Sequence, residues 1–260
     1  MSAAASGLSK PAARFSAEFY GFVQAESARW VRPAAATLAR EGVRAAAVYR
    51  ESGSEFAALE SVDAEDWRKY LGRVWITTAP RAAHMVEDQF TAAKALDDPF
   101  IAATIRWLRE FAGGRIQGIT DTSRDEIGNQ IRIGVSKGET RDEIAARIVK
   151  HRRSITPERA QTIARTEVHG AANFGSLTAA REVKVPMDKV WVARAGARPE
   201  HAAASGKRVA LADVFRLGGY RMQYPGDSSF GAPAQLIVNC RCVLSYEIRR
   251  APSGRRRVAA

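Results

Sequence analysis

Thr156 to Val183 reads TPERAQTIARTEVHGAANFGSLTAAREV, and the fold reading turns on this stretch. Thr156 is a residue type that caps helices and Pro157 suits the first helical position, so a long helix is predicted to begin there. Within it Arg165, His169 and Asn173 recur at i, i+4 and i+8 and therefore share one face, flanked by Thr166 and Gly170. A polar stripe on an otherwise Ala-rich helix faces solvent or lines something polar, such as an interface or a cleft.

Immediately upstream, Ser123-x-x-Glu126 and Thr140-x-x-Glu143 both have the pattern of a capping box. Ile127, Ile131 and Val135 make one apolar stripe, and Ile144 with Ile148 makes the next. Two short helices joined by a tight turn at Lys137-Gly138-Glu139 are expected. Farther back, Pro33, Pro80 and Pro99 each precede a helical pattern, and the pair Gly113-Gly114 is a candidate stop for the third. Trp30, Trp67, Trp75 and Trp107 are expected in the core rather than as partner anchors. His84 has no second ligand type nearby and reads as structural.

Downstream of the long helix the texture changes. Lys189-Val-Trp-Val-Ala is strand-like, a loop-rich region with many Gly and Pro follows, and Leu236–Ile248 (LIVNCRCVLSYEI) is predicted as one strand. Its even positions, including Cys240 and Cys242, form an apolar row. The fold class is thus α+β, with a mostly helical N-terminal half and a small α+β C-terminal domain with a short sheet. The division expected is a helical region 1–113, an α+β domain 114–248 and a basic, disordered tail 249–260.

The chain has 260 residues, with 40 Lys and Arg against 28 Asp and Glu, a net charge of +12. Such a surplus points either to polyanionic partners, nucleic acid first, through nonspecific contacts to phosphate, or to a solvated surface in an Ala- and Arg-rich chain. Two cysteines cannot build a disulfide framework and lack zinc-finger spacing. Residues 1–10 lack the charged and apolar regions of a secretory signal, and no segment approaches the length of a membrane span. No membrane association is expected, and a cytosolic setting is.

Candidate chemistry is sparse. Cys240 and Cys242 could hold a metal together with His169 or His201, against a reading in which both are core residues; no metal and no cofactor is expected. His201 follows Arg198-Pro199-Glu200 in a loop and is a candidate acid or base, with Arg165 and Asn239 as the other candidate catalytic residues and Glu167 and His169 as possible neighbours in a cleft. The alternative is that His201 and Asn239 only fix loop geometry. No P-loop, GxGxxG, HExxH or GxSxG pattern occurs, which excludes nucleotide-driven motors and the motif-defined hydrolases.

Ala164-Arg165-Thr166-Glu167 with Asn173, then Trp191, Arg198-x-x-His201, Gly206, Phe215, Pro225 and Asn239-Cys240-Arg241-Cys242 follow one another in an order that resembles the phage Mu F-like family of minor head proteins. The resemblance spans about Gly114 to Ile248. It implies a minor capsid or head morphogenesis protein of a tailed phage, present in several copies in the virion near the portal and in the host cytoplasm during assembly. The implied partners are the portal protein, major capsid or scaffold proteins and DNA, and no enzymatic activity is implied. The family usually has an acidic residue shortly before the Arg-x-x-His segment, where this chain has Ala193-Arg194-Ala195-Gly196-Ala197. The same resemblance brings a rival reading, a nuclease, ADP-ribosyltransferase-like enzyme or effector acting through the C-terminal domain.

Overall fold

A computed structural model describes residues 7–90, 99–183 and 185–249. The expected tail, apart from Arg249, lies outside the described residues, as do residues 1–6. Among the described residues five helices come first: α1 (Lys10–Ser52), α2 (Glu55–Glu60), α3 (Ala64–Phe90), α4 (Pro99–Ser136) and α5 (Arg141–Glu182). Then follow β1 (Met187–Val192), α6 (Pro199–Ala204), β2 (Arg208–Ala210), β3 (Phe215–Leu217), β4 (Tyr220–Met222), α7 (Ala234–Ile237) and β5 (Val243–Ile248). The α+β reading holds, with the sheet confined to the C-terminal part.

The helices are longer than the sequence punctuation indicates. α1, α3 and α5 run through Pro33, Pro80 and Pro157, and α4 runs through Gly113-Gly114. A proline inside a helix removes one backbone donor and costs about 3 kcal/mol. Here each lies beside buried residues: Ala34 and Leu38, Ala79 and Ala82, Ala160 and Ile163. Packing of those residues offsets the local penalty, since most helical stability in proteins comes from the buried face. Thr156 is accordingly no N-cap; its hydroxyl donates back to the Arg152 carbonyl at 2.6 Å. Ser123 is likewise mid-helix. Val135, expected in the apolar stripe, is exposed, while Ile127 and Ile131 are buried.

The local signals that survive are the ones with a complete reciprocal geometry. Thr140 caps α5 through a full capping box with Glu143, and Gly138, at φ 69°, makes the turn that ends α4. Pro99 does open α4.

α5 is the central rod. α1 and α3 pack along it and α4 lies against both α3 and α5. Close approach requires glycine at one point: a Cβ on Gly175 would sit 2.1 Å from the Ala79 carbonyl oxygen of α3. Two apolar clusters divide the bundle. The smaller joins Ala45, Tyr49, Ile127, Ile131, Ile144 and Ile148; the larger runs from Phe15 and Phe19 through Trp75 and Val168 to Trp191, Leu244 and Tyr246. The four tryptophans are buried, as expected, and His84 Nδ1 lies 3.2 Å from Glu87 of its own helix.

Between the two clusters in sequence along α1, α4 and α5 sits a buried polar network. Glu41 accepts from Trp67 Nε1 at 2.6 Å, Ser123 Oγ at 2.9 Å and Arg152 Nη2 at 2.6 Å. Arg152 also donates to Glu126 at 2.7 Å, and Arg159 pairs with the same carboxylate. Burial pushes the Glu41 carboxyl upward, opposed by these donors.

The sheet is antiparallel with order β2-β1-β5, and Trp191 pairs with Leu244. β3 and β4 form a separate hairpin closed by Gly218-Gly219, both at positive φ, the requirement of a tight two-residue turn. The predicted strand Leu236–Ile248 is corrected: it begins as α7, turns at Asn239 and becomes a strand only at Val243. Nor does the strand alternate between a core side and a wet side, since Val243 to Tyr246 are all buried. α1 covers β5 as well as α5 does; Ser245 Oγ donates to the Ala12 carbonyl at 2.8 Å, and the Ser9 N–H donates to Glu247 at 2.8 Å. The first helix and the last strand therefore close one core. No helix among the described residues is long and apolar enough to cross a membrane.

Candidate functional site

The polar stripe on α5 faces the last strand and the turn before it. β5 lies at the edge of the sheet, and its open side is met by Asn173, whose Oδ1 accepts from the Leu244 N–H at 2.9 Å while its Nδ2 donates to the Cys242 carbonyl at 3.3 Å. One side chain thus mimics a neighbouring strand and satisfies an edge that would otherwise be unpaired. Thr166 accepts the Asn239 N–H at 2.9 Å, and Arg165 donates to the Asn239 side chain. Asn239 has φ 59°, and asparagine tolerates this left-handed conformation better than most residues. α5 therefore holds the 239–244 segment by four hydrogen bonds from Arg165, Thr166 and Asn173.

That turn carries Cys240 and Cys242 to His201. His201 sits in the short helix α6, which follows the Ala193–Ala197 loop leaving β1. Its ring packs edge-on against Trp191 at 5.5 Å, and Trp191 in turn meets Phe215. His201 Nδ1 lies 3.4 Å from both sulfurs, and all three side chains are buried. The Cys242 N–H also points at Cys240 Sγ, at 3.4 Å. Neither cysteine is disulfide-bonded. The hydrogen bond between the thiols lowers Cys242 to about 5 and raises Cys240, so the pair favours a single shared proton.

The cluster opens on a cavity of about 290 Å³ whose wall includes Arg194, Arg198, Asn239 and Arg241. Arg194 lies over the Tyr20 ring at 3.9 Å and donates to the Ser16 carbonyl at 2.8 Å, tying the wall to α1. Arg198 donates to the Val238 carbonyl across the mouth. The cavity is therefore positively lined, with sulfur and imidazole at its floor.

Of the residues singled out in the sequence, the structure gathers His201, Asn239, Cys240 and Cys242 at one place, with Arg165 joined through Asn239. It does not bring Glu167 there, and His169 meets the backbone of Cys242 without joining the cluster of His201 and the two sulfurs. Glu167 turns into the bundle, where it accepts from Trp75 Nε1 and Arg115, each at 3.1 Å. His169 is buried with Nε2 3.4 Å from Gln24, and burial drives its pKa down to about 3. Gly206, at φ 79°, ends the loop after α6 and donates to the Trp191 carbonyl at 2.8 Å.

Residues 125–245 match the model of the family described as Phage Mu protein F like protein. The segment belongs to that family. The F-like segment thus takes in the last third of α4, all of α5, β1 to β4, the first half of β5 and the thiol–imidazole cluster. That family is one of structural phage head proteins, and the match suggests head morphogenesis as a broad role and the virion as a broad location. No curated protein and no solved structure matched the chain.

Sequence reasoning missed Lys189. It is wholly buried in β1, its Nζ lacks a hydrogen-bond partner among the described residues, and it lies 5.5 Å from the centre of the Phe215 ring. Burial drives its pKa down to about 7. The available signal was a lysine directly before the apolar Val190-Trp191-Val192 run of a buried strand.

Proposed function

We propose that the protein is a minor head protein that associates with the portal and the inner head shell during assembly, in several copies, and contacts DNA without sequence preference. The observation that carries this reading is the match of residues 125–245 to the F-like family. The net charge of +12 supports the DNA contact, because arginine and lysine at phosphates release counterions whatever the sequence. The way polar residues are used is consistent with a structural part: Asn173, Thr166, Glu167 and Arg152 each bond across elements of the chain.

The rival enzyme reading needs His201 to act as a free acid or base. His201 is enclosed and its Nδ1 faces two sulfurs, which disfavours proton exchange with a nucleic acid outside the cavity.

The test is co-expression with the portal protein of the same phage, followed by affinity capture and size-exclusion chromatography at moderate salt. Stoichiometric co-elution is expected. A folded protein that elutes alone would refute portal association. For DNA, affinity is expected to fall steeply as salt rises and to be similar for unrelated duplexes; no binding at low salt refutes that part.

A further inference from the structure

We propose that His201, Cys240 and Cys242 bind one Zn²⁺ ion, with a water molecule from the arginine-lined cavity as fourth ligand. The expectation that both cysteines are merely small core residues accounts for their burial but not for their arrangement. Their sulfurs and a histidine nitrogen lie within 4.8 Å of one another. His201 Nδ1 is 3.4 Å from each sulfur. One ring nitrogen can donate or accept a single linear hydrogen bond, so hydrogen bonding accounts for one of these approaches and leaves the other unexplained.

A metal accounts for both. With Zn–S near 2.3 Å and Zn–N near 2.05 Å, a tetrahedral ion sets each N–S edge at about 3.6 Å, within about 0.2 Å of the spacing found here. The donor set is also selective. Two thiolates and an imidazole with no carboxylate suit zinc and exclude magnesium and calcium, which take oxygen ligands. Two thiolates neutralise the 2+ charge, so the site adds no net charge to a wall already bearing Arg194, Arg198 and Arg241.

The local sequence builds the site economically. The left-handed turn at Asn239 delivers both sulfurs from one three-residue run, and α6 supplies the imidazole. His201 Nε2 has no partner among the described residues, so the ring is fixed by its Nδ1 side and by Trp191. His169, the other histidine the sequence offered, has Nε2 by Gln24 and meets only the backbone of Cys242, so its ring is not among the clustered ligand atoms. Three protein ligands next to a cavity of about 290 Å³ leave the fourth corner to solvent. A bound ion would pin α6 to the start of β5 across a loop of about 40 residues and thereby add binding free energy to the fold of this corner. Binding releases the thiol protons to solvent and involves no redox step.

The full chain is purified in a thiol reductant without chelator and without a metal affinity resin, then analysed for metals and free thiols. One equivalent of zinc per chain is expected, falling to a tenth or less in Cys242→Ser and in His201→Asn and unchanged in His84→Ala. Because either site variant could misfold, the apo protein is also titrated with Co²⁺. A saturable thiolate-to-cobalt charge-transfer band at one equivalent is expected, displaced by zinc. Less than a tenth of an equivalent of zinc with no cobalt band, or a Cys240–Cys242 disulfide in the reduced preparation, overturns the proposal. So does zinc retained undiminished in folded Cys242→Ser. Copper in place of zinc likewise refutes it.

Discussion

Replacing Arg152 by methionine strips the buried Glu41 carboxylate of the one cation that contacts it among the described residues, at 2.6 Å, and leaves it two neutral donors, Trp67 and Ser123. Both partners are enclosed, with side chains 2% and 0% exposed. Water cannot take over from the guanidinium. Breaking such a buried pair costs about 3–5 kcal/mol, and methionine roughly preserves the volume of the arginine stem, so the cavity contribution is small. The loss also carries a signature in pH. Glu41 is already held above its ordinary value by burial, and Arg152 is among the groups that pull it down. In Arg152→Met the folded-state pKa rises further, while the unfolded value stays near about 4.3. A carboxyl raised in the folded state binds more protons there than in the unfolded chain. Its stability is fully present below the unfolded value and is lost as pH rises through the folded one. Relative to wild type the variant is therefore least impaired near about pH 4–5, and the deficit grows toward neutrality by at most about 1.4 kcal/mol per pH unit. Urea unfolding followed by tryptophan fluorescence at several pH values measures this. Adding Glu41→Gln should recover about 2 kcal/mol or more at pH 7. A deficit below about 1 kcal/mol at pH 7, or one that does not change with pH, would show that the network does not hold the bundle in this way.

Asn173→Ala leaves the Leu244 N–H and the Cys242 carbonyl unpaired at the sheet edge and is expected to cost about 1–3 kcal/mol in urea unfolding, with early loss of amide protection at Leu244 in hydrogen exchange. Gly175→Ala drives a methyl into the Ala79 carbonyl and should lower the thermal midpoint, by about 1–3 kcal/mol or more of stability, whereas Gly72→Ala, which meets nothing within 4 Å, should not. Lys189→Met removes an amine whose folded pKa, about 7, lies below its unfolded value. The wild-type penalty is full below that pH and fades as pH rises toward the unfolded value, so the variant should be more stable than wild type at pH 6 and gain little at pH 10 in thermal melts.

Signals closed within a few residues were legible in the sequence. The Thr140 capping box and the Gly138 turn could be read directly, because hydroxyl, carboxylate and positive φ all act inside one helical turn. Pro33, Pro80 and Pro157 misled for the complementary reason. Each is a local penalty overridden by residues far away in the chain that bury the next turn. Ser123 and Glu126 had the spacing of a cap, but their partners are Glu41, Arg152 and Arg159 on other helices, and no spacing rule connects those positions. The cysteine pair was visible as Cys-x-Cys, and the order of motifs located the F-like segment. Which histidine joins the pair was not legible, since the choice between His169 and His201 depends on the turn at Asn239, hidden inside what reads as one continuous strand.

Because Ser245 rests on Ala12 and the Ser9 amide on Glu247, the opening helix meets its last partner only after more than two hundred further residues have been made. A ribosome delivers these pieces in the opposite order to the one assembly needs. During synthesis the face of α1 carrying Ala12 and Phe15 waits uncovered, a non-local closure of the kind that slows folding and exposes intermediates to aggregation. A copy truncated before Val243 never acquires that cover. The covering of α1 is therefore a property of the chain carried through to β5 and not of its helical half alone.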